Sequence, residues 1–258
     1  RYLFGVQNGV EKDPSAWIVR EGKKRTEPTP YDDYPNPKAA PVRLYLGPGG
    51  NGTGRLGFKA RAGQGAEKLI DNYEFKGATL ASEAKSEHRL LYATGRLSRP
   101  VHLSGTSSIR IKVSSSQPAA NLSVWLVSLP WTKGGRTNDN LISRGWADPQ
   151  NHESLRESKP LEPGKFYELS FDFQPDDQVI PVGQRIGLMI FSSDKDFTLW
   201  PKPGTELTVE LGATSIELPV VGGPRALRRA TTPKRRRLSA PRKPIFHPLP
   251  GTNGSGRF

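Results

Sequence analysis

An all-β fold, an antiparallel sandwich or jelly roll, is predicted by three features of the 258-residue sequence. Apolar and polar residues alternate in several short segments, which puts one side of each segment in a core and the other side in solvent. The chain contains 27 Gly and 24 Pro, so its elements should be short and separated by turns. Almost no stretch has the 3.6-residue periodicity of an amphipathic helix. The alternating segments are residues 42–46, 109–113, 122–126, 168–173, 207–211 and 216–220.

The segment GQRIGLMIFSSDKDF, residues 183–197, has the pattern of a buried strand that ends in polar residues. Ile186, Leu188 and Ile190 fall on one face, and the other face is apolar as well, so this strand should be central in its sheet. Its polar exit consists of Ser192, Ser193 and Asp194. We expect these side chains to satisfy backbone and loop hydrogen bonds where the strand surfaces, and not to act in catalysis.

No catalytic constellation accompanies this serine pair. The sequence lacks the G-x-S-x-G turn that exposes a hydrolase serine, and it lacks H-x-x-x-H and H-E-x-x-H pairs. The acidic pairs at 32–33 and 176–177 lie in turn-like sequence without the spacing of a calcium loop. The chain has no cysteine, which removes disulfides, thiolate metal sites and cysteine nucleophiles. Four histidines are interpreted as ordinary surface or edge residues: His88, His102, His152 and His247. We therefore expect no catalytic residue, no metal site and no cofactor.

The net charge of +13 is concentrated near the end of the sequence. Residues 224–258 carry ten Lys or Arg and no Asp or Glu, so the remainder has a net charge of only +3. Such a run should be disordered, because it cannot pack a core. The composition changes abruptly after Gly223, as it would after a slipped reading frame. A solvated or artefactual extension is the simplest interpretation, and no nucleic-acid partner is expected. The alternative is a polyanion-binding patch at Lys234, Arg235, Arg236 and Arg237.

The first 40 residues have the pattern of connecting segments. RYLFGVQNGV places Tyr2, Leu3 and Val6 on one helical face before Asn8 and Gly9, which is typical of the end of a helix, so we expect a piece of a longer protein. Residues 16–19 indicate a strand, and the Pro-rich residues 21–40 indicate a linker or surface loop. No run of about 18 apolar residues occurs, so no membrane-spanning helix and no membrane partner are predicted.

Between about residues 88 and 223, several segments resemble, in the same order, the C-terminal domain of Xaa-Pro dipeptidyl-peptidases and of the related cocaine-esterase-like acyl hydrolases. The segments are RLLYATGRLSRPVHLSGTSSIRIKV, LSVWLVSLP, ISRGW, PLEPGKFYELSFDFQP and VGQRIGLMIFSSD. The residues that match the family's G-H-R...S-S-D strand are Gly183, Arg185, Ser192, Ser193 and Asp194. Gln184 replaces the usual His, which the family does not use as a base.

The resemblance implies a galactose-binding-like jelly roll over residues 41–223, packed against an α/β-hydrolase domain that precedes it. Residues 1–20 are similar to the last helix and the crossing strand of that hydrolase domain, residues 21–40 would link the two, and residues 224–258 would form the disordered tail. The Ser, Asp and His of the family's triad would lie upstream, so no residue here takes a catalytic role. The resemblance also implies a peptide substrate for the parent, a homo-oligomer in some members, and a secreted or extracellular parent.

Several functions stay open at this point. The favoured one is the non-catalytic jelly-roll portion of an Xaa-Pro dipeptidyl-peptidase, and an accessory domain of a cocaine-esterase or acylase-like hydrolase is its close alternative. A free-standing carbohydrate-binding jelly roll would need an exposed aromatic with polar neighbours. The candidates for that role are Trp125, Trp131 and Trp146.

Overall fold

A computed structural model describes residues 4–5, 8–19, 28–132, 134, 137–200 and 203–232. The strands in this part of the chain are β1 (Ala16–Ile18), β2 (Thr29–Tyr31), β3 (Ala39–Gly47), β4 (Gly54–Gly57), β5 (Ala66–Ile70), β6 (Leu90–Ala93), β7 (Val101–Gly105), β8 (Ser108–Ser115), β9 (Leu122–Leu129), β10 (Leu141–Ala147), β11 (Phe166–Asp172), β12 (Asp176–Ile180), β13 (Arg185–Phe191), β14 (Glu206–Glu210) and β15 (Ser215–Val221). The helices are α1 (Gly77–Ser82) and α2 (Gly223–Thr231), with 3-10 turns at Val10–Lys12, Thr137–Asp139, Pro149–Asn151 and Leu211–Ala213.

Thirteen of these strands form one hydrogen-bonded network, ten of them along a single path, that folds into a sandwich, which confirms the predicted all-β fold. The order is β10-β9-β13-β6-β4-β3-β15-β8-β14-β5, with β11 beside β8 and with β7 between β12 and β15. The described pairs are antiparallel except β4 with β6. Strand β13 pairs with β6 on one side and β9 on the other, so its predicted central position is confirmed.

The main core lies between the two halves of this path. Alternate residues of β3 and β15 (Val42, Leu44 and Leu46; Ile216, Leu218 and Val220) share one buried cluster with alternate residues of β9 and β13. Because successive side chains of a strand point to opposite faces, the period-two pattern in the sequence translates directly into this shared interior.

A second apolar layer covers the outer face of β6, β9 and β13. It contains Trp125 and Val127 of β9 and Met189 and Phe191 of β13, together with Leu80 of α1. Helix α1 can lie this close because its first residue is glycine. A Cβ at Gly77 would stand 2.3 Å from Cη2 of Trp125.

The buried Arg89 connects the β3–β4 loop to the end of α1. Arg89 is fully buried, and its guanidinium donates to the carbonyl oxygens of Gly50, Asn51 and Gly52 in the β3–β4 loop. It also donates to the carbonyl oxygens of Leu80 and Glu83 around the end of α1. A planar guanidinium with five N–H donors suits such a convergence of carbonyls. Burial lowers the pKa of Arg89.

The predicted disorder from residue 224 onward is wrong for residues 224–232. Helix α2 occupies Gly223–Thr231, and its Leu227 and Ala230 are buried against the main core. The helix starts with Pro224 in its first turn and follows Gly222, which has a left-handed φ of 81°. The arginines stay on the outer face, where the guanidinium of Arg228 lies over the Phe58 ring at 4.3 Å.

The N-terminal segments fit their predicted roles only in part. Strand β1 falls on the predicted strand at 16–19 and pairs with β2, which lies inside the predicted linker. The helical face of Tyr2, Leu3 and Val6 lies outside the described residues. None of the helices in the described ranges is both long and apolar enough to cross a membrane.

Candidate functional site

The described histidines sit in structural contacts away from the serine pair. Nδ1 of His88 lies 2.9 Å from the carbonyl oxygen of Ile70, and Nδ1 of His152 lies 3.1 Å from that of Pro149. Nε2 of His102 lies 3.0 Å from Oδ1 of the buried Asp177. A His–Asp pair is also found in a Ser-His-Asp catalytic triad. However, the hydrogen bonds described for Ser192 and Ser193 involve neither His102 nor Asp177. His247 lies outside the described residues.

Two signature residues position the start of β13. Gly183 has a left-handed φ of 88°, which glycine adopts without strain, and its N–H donates to the carbonyl oxygen of Leu97 at 2.8 Å. Nε of Arg185 donates to the carbonyl oxygen of Thr94 at 2.7 Å. Burial lowers the pKa of Arg185, and the neighbouring Arg96 lowers it further. Both contacts tie the β6–β7 turn to the entry of the central strand.

The serine pair lies at the other end of β13 and is fully engaged in hydrogen bonds. Oγ of Ser192 donates to the carbonyl oxygen of Asn121 at 3.0 Å. Ser193 donates twice to the buried carboxylate of Asp71, from its backbone N–H at 2.8 Å and from Oγ at 2.9 Å. Nδ2 of Asn121 donates to Oγ of Ser193 at 3.2 Å. These bonds join the ends of β5, β9 and β13.

Asp194 completes the signature and is the centre of a buried polar cluster. Its Oδ2 accepts from two tryptophan indoles, Nε1 of Trp125 at 2.9 Å and Nε1 of Trp146 at 3.2 Å. Burial raises the pKa of Asp194, while the two indole donors and the nearby Arg144 oppose that rise. The carboxyl group therefore holds the aromatic layer of the outer sheet face to the loop that follows β13.

The raised pKa of Asp194 predicts a pH-dependent stability. Its folded-state pKa lies above the unfolded value, so its contribution is fully present below the unfolded pKa and is lost as pH rises through the folded pKa. We expect the stability of the wild type relative to Asp194→Asn to fall as the pH rises above about 4, the ordinary pKa of an unfolded aspartate, and through the raised folded-state pKa. Urea unfolding at several pH values measures this difference. The matched control is Asp172→Asn, an exposed carboxylate in β11, and equal slopes for the two variants would contradict the prediction.

Exposed aromatic and apolar side chains follow Asp194 directly. Phe197 is 53% exposed, Leu199 88% and Trp200 57%. Trp200 stacks on Tyr73 with the ring centroids 5.2 Å apart, and the Phe197 ring lies beside the Trp146 ring at 5.4 Å. The guanidinium of Arg144 lies 3.9 Å from the Phe197 centroid. Sequence reasoning missed this group, because isolated apolar residues in turn-like sequence carry no periodicity.

The other predicted site residues are held in packing contacts or hydrogen bonds, or lie outside the described residues. Of the three tryptophans considered for a sugar site, Trp125 is buried and Trp131 packs on the second apolar layer. The indole N–H of Trp146 is already used by Asp194. The basic patch from Lys234 to Arg237 lies outside the described residues, so polyanion binding there stays a prediction. Within the described part of the chain, no group of three or more His, Asp or Glu side chains could hold a metal ion.

Residues 8–237 match the family described as the X-Pro dipeptidyl-peptidase C-terminal non-catalytic domain. A putative Xaa-Pro dipeptidyl-peptidase of Rhodopirellula baltica is 57% identical over 224 residues, which are 86% of this chain and 36% of that protein. One of the same name from Bacillus cereus is 32% identical over 224 residues, which are 85% of this chain and 36% of that protein. This chain thus spans about a third of the length of these curated relatives. The match continues past Gly223, which argues against a slipped reading frame at that point.

Solved structures of low sequence identity share the fold. An aminopeptidase from a marine sediment archaeon, Thaumarchaeota archaeon, is similar with a TM-score of 0.63 at 19% identity, over 81% of this chain and 41% of that chain. A CocE/NonD family hydrolase from Staphylococcus aureus is similar with a TM-score of 0.61 at 14% identity, over 84% of this chain and 43% of that chain. In both proteins the matched region is less than half of a longer chain.

Proposed function

Because this chain belongs to the family of X-Pro dipeptidyl-peptidase C-terminal non-catalytic domains, we propose that it serves as the accessory domain of a serine hydrolase that releases Xaa-Pro dipeptides from peptide N-termini. The hydrolytic step in such an enzyme is acyl transfer through a serine activated by a neighbouring base. In this proposal the nucleophile and its base belong to the other two thirds of the longer polypeptide. This chain contributes a rigid β-sandwich beside that catalytic domain.

The observation that carries the proposal is the 57% identity to a putative Xaa-Pro dipeptidyl-peptidase, over a region that is only 36% of that relative. The site geometry agrees with a non-catalytic role. The hydroxyl of Ser193 is held by Asp71 and that of Ser192 by a backbone carbonyl, and neither bonds to a histidine. An activated nucleophile needs a base beside a hydroxyl that substrate can reach. The contacts of Ser192 include no base, and although the carboxylate of Asp71 accepts from Ser193, both of those residues are buried, each with 2% of its surface exposed.

A chimera tests this function. The 258-residue chain replaces the matching region of the Rhodopirellula baltica relative, and hydrolysis of alanyl-prolyl p-nitroanilide is compared with that of the intact relative. We expect the chimera to keep activity within about tenfold, equivalent to ~1.4 kcal/mol in the barrier, because a fitting accessory domain leaves the triad in place. Loss of anilide hydrolysis in a chimera that folds and whose serine still reacts with a fluorophosphonate would overturn the proposal.

The same assay separates the peptidase from its nearest alternative. An accessory domain of an esterase or acylase would be indicated if the chimera and the intact relative cleaved p-nitrophenyl esters but not the anilide. We favour the peptidase because relatives at 57% and 32% identity carry that name, whereas the CocE/NonD likeness at 14% identity supports the fold alone. Homo-oligomerisation and secretion of the parent remain predictions, to be tested by sedimentation and by fractionation of cells that express it.

A further inference from the structure

An apolar ridge projects from the loop after β13. The ridge consists of Phe197, Leu199 and Trp200, backed by Tyr73 and Arg144. Its three foremost side chains are between 53% and 88% exposed, although they come from only four consecutive residues. Exposed apolar residues scattered singly are ordinary on a protein surface, but a contiguous group is typical of an interaction site.

The ridge is held in place before any partner binds. Nε1 of Trp200 donates to the carbonyl oxygen of Lys195 at 3.1 Å, and its ring lies nearly parallel to Tyr73, at 8°. The backbone N–H of Phe197 donates to the carbonyl oxygen of Asp194 at 2.8 Å, and Nδ2 of Asn121 donates to the carbonyl oxygen of Leu199. Pre-ordered Trp, Tyr and Arg side chains are the residues that dominate interface energies, because they lose little conformational entropy on binding.

The broad sheet faces are less suited to docking. On the outer face of β3, β15, β8 and β11, opposite charges pair across strands, as in Arg43 with Glu217 at 3.1 Å and Arg110 with Glu168 at 2.6 Å. A partner would have to desolvate these pairs. The outer face of β6, β9 and β13 is already covered by α1. The ridge thus combines apolar exposure with rigidity where these faces do not.

The relatives indicate which partner covers the ridge. In two curated relatives the matched region is 36% of the chain, and in two similar solved structures it is 41% and 43%. A domain tethered to such a large remainder meets it at a high effective concentration, so a contiguous apolar surface such as the ridge is covered by that remainder before any separate molecule. We propose that the ridge of Phe197, Leu199 and Trp200 is the surface on which the catalytic domain of the same polypeptide docks. This inference rests on the proposed accessory function.

Leu199→Asp is the sharpest test, because this side chain is 88% exposed and its removal should spare the sandwich itself. Leu155→Asp is the matched control, with the same chemical change at a side chain that is 90% exposed in a different loop. Each variant is made in the chimera and in the 258-residue chain. We expect both variants to leave the melting temperature of the 258-residue chain unchanged. Only Leu199→Asp should weaken the contact between the accessory domain and the catalytic domain in the chimera.

The expected readout is limited proteolysis between the two domains of the chimera. Burying a charge at the centre of an interface costs ~1.4 kcal/mol or more, so cleavage should be about tenfold faster in Leu199→Asp than in Leu155→Asp. Equal cleavage rates would overturn the docking proposal. So would a result in which Leu199→Asp only dissociates a dimer of the chimera, since the occupant would then be a second copy.

A failure of the proposed function gives a different set of results from a failure of the docking proposal. If neither the chimera nor the intact relative hydrolyses the anilide while Leu199→Asp still accelerates cleavage, the substrate assignment fails and the docking surface stands. If the chimera hydrolyses the anilide normally but Leu199→Asp and Leu155→Asp are cleaved at equal rates, the substrate assignment stands and the docking proposal fails.

An uncovered ridge should also make the isolated chain associate. We expect sedimentation of the 258-residue chain to show concentration-dependent self-association, because the side chains of Phe197, Leu199 and Trp200 are exposed to water. Leu199→Asp should weaken that association and Leu155→Asp should not. A wild-type chain that stays monomeric at high concentration, without binding an apolar dye, would contradict the ridge as an adhesive surface.

Discussion

Arg89→Met should destabilise the 258-residue chain by about 4 kcal/mol. The substitution keeps much of the side-chain volume but removes a donor from five carbonyl oxygens, those of Gly50, Asn51, Gly52, Leu80 and Glu83. Each buried carbonyl left without a partner costs ~1–3 kcal/mol, and those of Gly50 and Asn51 keep a second donor from Leu91 and Ser86. The free energy of unfolding in urea measures the effect.

Arg55→Met is the matched control for this prediction. Arg55 lies in β4, next to the same loop, but its side chain is exposed, so the change should stay within ~0.5 kcal/mol. Arg89→Lys should fall between the two, because an ammonium group offers three donors and no fork geometry. A loss for Arg89→Met no larger than that for Arg55→Met would show that the guanidinium does not hold these loops.

Gly77→Ala should cost about 2–3 kcal/mol, although alanine is normally favoured in helices. Its Cβ would stand 2.3 Å from Cη2 and 2.5 Å from Cζ2 of Trp125. The indole cannot move aside easily, because Nε1 is bonded to Asp194 and the ring makes an edge contact with Phe191 at 5.6 Å. Helix α1 must therefore shift away from the sheet. Thermal or urea unfolding gives the magnitude.

A double-mutant cycle identifies the contact responsible. In a Trp125→Phe background the clashing six-membered indole ring is gone, so Gly77→Ala should cost little beyond the single Trp125→Phe change. The coupling between the two substitutions should exceed ~1 kcal/mol, as expected for residues in direct contact. Strictly additive losses would mean that the cost of the alanine arises elsewhere.

The sandwich could be predicted because half-buried antiparallel strands require apolar and polar residues to alternate in the sequence. The alternation at 42–46, 122–126 and 216–220 corresponds to β3, β9 and β15, and its apolar members form the main core. The run at 186–191 is apolar on both faces because β13 has the main core on one side and the α1-covered layer on the other. The family signature therefore coincides with the strand that the packing constrains most.

Helices α1 and α2 were not predicted, because neither has a long periodic pattern in the sequence. Helix α1 has only six residues, too few to establish a period, and it starts with a glycine that is there for close packing. In α2 the arginines dominate the composition, yet Leu227 and Ala230, three residues apart, suffice to bury one face. The number of positive charges in residues 224–232 therefore indicated disorder, whereas the spacing of Leu227 and Ala230 would have indicated a short helix.

The candidate site was predictable only in its chain positions. Ser193 and Asp194 were identified at the end of β13, but their partners lie far away in the sequence: Asp71, Trp125 and Trp146. Which distant residues meet is set by strand order and register, and a single sequence does not encode these in any local pattern. The apolar ridge was missed because its residues carry no periodicity, and the residues that support it, Tyr73 and Arg144, are also distant in the sequence.

The central proposal, that this chain is the non-catalytic part of a serine hydrolase, is tested most directly with the purified 258-residue chain. The chain is treated with a fluorophosphonate probe and with alanyl-prolyl p-nitroanilide. We predict no covalent labelling and no release of p-nitroaniline, because the hydroxyls of Ser192 and Ser193 are bonded to a carbonyl and a carboxylate and to no described histidine. Labelling of either serine together with turnover would contradict the account and place a catalytic site within the sandwich itself.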